Sequence, residues 1–191
     1  READPVALLN KARASTPGLS GFRFFHDHDP RILEHCLPDP ACAKIILTRN
    51  PADSYVSLKL ARQTGQWRLR DLSKRKASSA IDFDADEFLT HVEQLQAFQL
   101  KLLHGLQITG QTAFYIGYDD LGDVEVLNGL ARFLGVPHEV RKATSKTKVQ
   151  NPSALEEKVG NFAEMDAALR RVDFFDLART PNFEPRRGPM V

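Results

Sequence analysis

Between Asp84 and Gly105 the apolar residues Phe88, Leu89, Val92, Leu95, Phe98, Leu102 and Leu103 recur at helical spacing, which predicts one long amphipathic helix. Elsewhere the pattern changes character. The runs AKIILT (43–48) and TAFYIGY (112–118) are apolar over strand length, as in strands buried on both faces of a parallel sheet. LSGFRFF (19–25) has the aromatic look of a shorter strand, and it ends in the polar cluster His26-Asp27-His28-Asp29.

Polar and conformationally special residues punctuate these runs. Asp4 followed by Pro5 opens a helix that Gly18 stops, and Asp29 followed by Pro30 opens another that ends near Cys36, before Leu37-Pro38-Asp39-Pro40. The Asn50-Pro51 turn starts a helix to about Gln63, with Asp53 complementing its positive end and Gly65 terminating it. A further helix runs from Asp123 to just before Gly135, and a last one from the Ser153-to-Glu156 capping box to about Arg171. Strands and helices alternate without an internal repeat or a dividing linker. The expectation is a single α/β domain over residues 1–191, with a parallel sheet between helices and ligands at the carboxyl ends of its strands.

Composition narrows the choices. The chain has 191 residues, 42% hydrophobic and 27% charged, enough for one buried core and unlike a disordered or fibrous protein. A formal net charge of +1 argues against a dedicated nucleic-acid binder, although Lys59, Arg62, Arg68, Arg70, Lys74, Arg75 and Lys76 are opposed locally only by Asp71. No run approaches the roughly 18 apolar residues of a membrane span, and no signal peptide is visible. Cys36 and Cys42 lack the pattern of a disulfide framework or a zinc site, so they read as reduced, partly buried thiols in the cytoplasm. The first residue is Arg1, which carries the expectation that a segment precedes it.

The stretch KIILTRNPADSYVS concentrates the chemistry. Arg49 lies just beyond a buried strand and Ser57 nearly two turns into the next helix. A guanidinium presents a planar fork of donors to two phosphate oxygens, and a serine hydroxyl on a helix can donate a third bond. The alternative is an arginine in a salt bridge and a serine facing solvent.

ILTRNPADSYVS resembles the 3′-phosphate-binding segment of sulfotransferases that use 3′-phosphoadenosine 5′-phosphosulfate (PAPS). Arg49 and Ser57 match that segment in residue type and spacing. QTGQW (63–67) is similar to the bacterial carbohydrate and glycolipid branch, which includes trehalose and nodulation-factor sulfotransferases. YDDL (118–121) followed by ARFLGVP is similar to the family's Tyr-Glu-x-Leu and Phe-Leu-Gly elements, with Asp119 in place of the glutamate.

The resemblance implies a three-layer, P-loop-NTPase-like sulfotransferase fold, PAPS as donor, no metal, and a sugar or glycolipid hydroxyl as acceptor. It implies nucleotide contacts from Lys146, Lys148 and Gln150 in the loop KTKVQNP, and a catalytic base at His26, with His28 second. Trp67, Arg62 and Arg68 are candidates for the acceptor pocket, an indole face packing on a sugar and arginines binding its polar groups. The family's glycine-rich loop for the 5′-phosphosulfate has no counterpart in these residues, so the chain alone is expected to be inactive in transfer. Two other readings stay open: a nucleotide kinase of the same superfamily, and a nucleotide-binding fragment without catalysis.

Overall fold

The structure, a computed structural model, describes residues 4–15, 17–67, 71–74, 79–137, 139–143 and 154–172. Most helices begin where the cap residues place them. Asp4 accepts hydrogen bonds from the Val6 and Ala7 amides (2.9 and 3.1 Å) at the start of α1, Pro5–Ser15. Asp29 caps α2, Pro30–Cys36, through Arg31 N, and Asn50 caps α3, Pro51–Thr64, through the Ala52 and Asp53 amides. Asp84 accepts from Glu87 N at the head of α4, Ala85–Ile108, and Asp123 caps α5, Val124–Phe133. Gly65 and Gly135 end α3 and α5 at φ 64° and 68°, a left-handed backbone that a residue with a Cβ rarely adopts.

Strands β1, Ile45–Thr48, and β2, Phe114–Gly117, form a parallel pair with Ile45 opposite Phe114 and Thr48 opposite Gly117. The protein is therefore of mixed helix-and-strand type with a small parallel sheet, two-stranded among the described residues. The described helices include none long and apolar enough to cross a membrane.

Contacts group the described residues into two compact units. One comprises Arg1–Lys44 with Gln94–Ala113. In it α1 packs on α2, Arg13 pairs with Asp39 (3.2 Å), and Lys44 Nζ donates to Gln111 Oε1 (2.6 Å). Cys36 is buried and Cys42 half-buried, both as free thiols; burial, with Cys42 beside it, pushes the Cys36 thiol up to about 11.

The other unit comprises Ile45–Glu93 with Phe114–Val191. Its core joins Ala52, Tyr55, Val56 and Leu60 of α3 to Phe88 and Val92 of α4, Ile81 and Phe83, Val159, and Met165 and Leu169 of α7, Phe162–Val172. Phe83 and Phe88 meet the Tyr55 ring edge-on, the geometry that aromatic quadrupoles favour.

Three expectations are corrected. Residues 19–25 form no strand; no described strand pairs with them, and Phe24 instead stacks on Phe98. β1 is not buried on both faces: Ile46 and Thr48 are covered, while Ile45 and Leu47 are 45% and 51% exposed. An apolar run reports hydrophobicity on both sides of a strand but not whether a layer covers each side. The C-terminal helix is split into α6, Leu155–Lys158, and α7. Val159 leaves the helix to bridge Ile81, with Ile81 N donating to Lys158 O (2.8 Å) and Gly160 N to Ile81 O (2.9 Å). The N-cap of α6 is Ala154, without a side-chain capping bond, and Ser153 lies outside the described residues.

Candidate functional site

Because Thr48 pairs with Gly117, the next residue of each strand leaves the sheet side by side, and Arg49 comes to rest 4.3 Å above the centre of the Tyr118 ring. A guanidinium over an aromatic face gains a cation–π attraction of about 0.5–2 kcal/mol, and its in-plane donors stay available for other partners. Arg49 is half-buried, and among the described residues no carboxylate pairs with it.

The head of α3 offers little backbone to a ligand. Pro51 has no N–H, the Ala52 and Asp53 amides go to Asn50 Oδ1 (2.9 and 3.3 Å), and Ser54 N goes to Asn50 O (2.9 Å). An anion at this corner must be held by side chains. Ser57 is half-buried and lies one turn beyond Asp53 on the same helical face, and its hydroxyl makes no hydrogen bond among the described residues. The seven steps from Asn50 to Ser57 span about 10 Å along the axis. The Arg49 side chain must therefore extend along α3 if one anion is to meet both.

A further cation belongs to this corner, and the sequence pattern did not single it out. Helix α6 packs against α3, and Lys158, half-buried at its last position, lies close enough to Asp53 and Arg49 for both charges to act on it. Burial lowers the Lys158 ammonium below the ordinary lysine value; Asp53 opposes the shift and Arg49 adds to it. Among the described residues no carboxylate lies within ion-pairing distance of Lys158. The signal in the sequence was Gly160 within an otherwise helical pattern, where a break would turn Lys158 off the helix axis.

Near the other end of α3 the charges are paired. Lys59 donates to Glu87 (2.7 Å) and to the Tyr55 hydroxyl (3.2 Å), which itself lies 3.0 Å from Glu87. Arg62 also faces Glu87, at 3.9 Å. Trp67 is 65% exposed. Arg68, Lys146, Lys148 and Gln150 lie outside the described residues.

His26 and His28 occur in the first unit, in the turn after Phe25. His28 is held by Phe24 and Phe25, whose rings meet it edge-on at 5.4 and 5.2 Å, and its Nδ1 accepts from Phe25 N (3.4 Å). The exposed His26 ring lies 6.4 Å from that of Phe98 and makes no hydrogen bond among the described residues.

No protein-family model, no curated protein and no solved structure matches the chain.

Proposed function

We propose that this protein is a cytoplasmic sulfotransferase of the PAPS-dependent carbohydrate and glycolipid type, built on the three-layer P-loop-like fold, and that Arg49 and Ser57 hold the 3′-phosphate of the donor. The observation that carries this reading is the state of Arg49. It stands at the carboxyl end of a strand in a parallel pair, is braced on Tyr118, and has no carboxylate partner among the described residues. A half-buried guanidinium without an anion is favourably completed by one, and a phosphate monoester matches its fork of donors.

The donor supplies a sulfuryl group. Transfer breaks its S–O bond to the 5′-phosphate and forms a new one to an acceptor hydroxyl, whose proton passes to a base. In this reading His26 takes that proton, with His28 as the alternative, and its exposed ring has no competing hydrogen bond among the described residues. The same reading assigns Trp67, Arg62 and Arg68 to the sugar acceptor and Lys146, Lys148 and Gln150 to the nucleotide.

Calorimetric titration with 3′-phosphoadenosine 5′-phosphate, adenosine 5′-phosphate and ATP tests the assignment. Arg49→Ala is expected to weaken the first by about 1.5–3 kcal/mol, the range for a hydrogen bond to a charged group, with a smaller loss for Ser57→Ala. An equal loss with adenosine 5′-phosphate would remove Arg49 from the 3′-phosphate, and preferential binding of ATP would favour a nucleotide kinase.

A further inference from the structure

Helix α4 buries Phe88, Val92 and Leu106 on one side, yet it also carries apolar residues on the other. Leu89, Glu93, Ala97, Leu100, His104 and Ile108 follow one another at intervals of three or four positions, and all six are exposed. At about 100° per residue they fall within about 100° of the helix circumference, which makes them a single face. Leu100 and Ile108 are 62% and 70% exposed, so no described element covers that face. Its length from Leu89 to Ile108 is about 28 Å. A continuous apolar stripe of this kind marks a contact surface more often than isolated exposed residues do.

The order of residues along the stripe says what fits it. When two copies of α4 lie antiparallel about a two-fold axis midway between Ala97 and Leu100, Leu89 of each meets Ile108 of the other. Glu93 then meets His104, and Ala97 meets Leu100, each pair occurring twice. The small side chain faces the large one, as interdigitating helices require, and a carboxylate faces an imidazole. Neither Glu93 nor His104 takes part in an ion pair among the described residues, so the contact breaks none. Parallel packing in register would instead set Glu93 against Glu93, like charge on like.

We propose that the outer face of α4 is a homodimer surface, on which a second copy of this chain packs its own α4 antiparallel in this register. The inference stands apart from the phosphate reading of Arg49. A single helix face of this length lies at the small end of specific interfaces, so the dimer is expected to be reversible, with a dissociation constant in about the micromolar range.

Sedimentation equilibrium of the 191-residue chain across about 1–200 μM tests this, a range that brackets such a constant. A monomer–dimer equilibrium is expected. Leu100→Glu, which puts a carboxylate into the contact twice per dimer, is expected to weaken it about 10-fold or more. Because Leu100 is exposed, circular dichroism and the urea midpoint of that variant at low concentration should match the parent. Glu93→Lys and His104→Glu are each expected to weaken the dimer several-fold, and the double variant, in which the charges are exchanged, is expected to recover it. A chain that stays monomeric throughout would overturn the second copy as occupant and leave the face to a partner of different sequence. A dimer indifferent to Leu100→Glu would place the contact elsewhere and also overturn the proposal. Tighter association in Glu93→Lys would point to parallel packing, and failure of the double variant to recover would separate Glu93 from His104; either result would overturn the antiparallel register.

Discussion

The turn that carries His26 and His28 and the corner that carries Arg49 both present reactive side chains, but they are held in different ways. Around the histidines, positioning comes from ring edges and a single hydrogen bond of 3.4 Å, with Phe22, Phe25 and both imidazoles exposed. Behind Arg49 stands a strand register, an asparagine cap, and the buried Ala52, Tyr55 and Val56 on the first turns of α3. The difference teaches where precise geometry can come from. A side chain projecting from an element packed into a core inherits the position of that core, whereas one on a surface turn depends on its immediate neighbours.

The comparison can be tested by removing packing on each side. Met165, fully buried in the core behind the corner, should cost about 2–5 kcal/mol when changed to Ala, because the cavity adds to the lost burial. Phe22, 53% exposed, should cost within about 0.5 kcal/mol. Urea unfolding of the two variants measures both, and comparable losses would erase the distinction. A smaller effect is expected of Asn161→Ala, which leaves the Phe83 amide and carbonyl without their bracket: about 1–3 kcal/mol if those groups stay dry. Full stability in that variant would mean that the Ile81–Val159 bridge holds this part of the corner unaided.

The smallest effect belongs to the paired charges at the far end of α3. The hydrogen bond from Lys59 holds the Glu87 carboxyl below its ordinary value of 4.5, with the Tyr55 hydroxyl assisting and partial burial opposing. A carboxyl depressed in the folded state adds stability above its unfolded value and loses it as pH falls through the folded one. Glu87 is largely exposed, so the contribution is about 0.2–1 kcal/mol. The stability advantage of the native chain over Glu87→Gln should therefore shrink as acid is added below 4.5. An advantage that is flat with pH would show that the pair contributes through packing alone.

Local chemistry was legible without coordinates wherever one residue decides the outcome. Asp4, Asp29, Asn50 and Asp123 cap the helices they precede, and Gly65 and Gly135 close two of them. Each of these depends on a side chain reaching an amide two or three residues away, or on a backbone angle that only glycine adopts readily. The anion-site candidate Arg49 was legible for a related reason, since the end of a strand before a capped helix is a local pattern.

What depended on distant partners was not. Residues 19–25 have strand-like composition, yet a strand exists only with a neighbour to complete its ladder. Val159 continues a helical pattern, yet it pairs with Ile81, 78 positions earlier. The sequence by itself determined the caps, the stops, the long amphipathic α4 and two strands able to pair. Tertiary structure alone decided that the strands pair in the register that sets Arg49 on Tyr118, that one face of β1 is left open, and that the break after Lys158 brings its charge to the Arg49 corner. The physical reason is that capping and periodicity are settled within a few residues. Burial and charge proximity depend instead on which segments, far apart in the chain, the folding of the whole brings together.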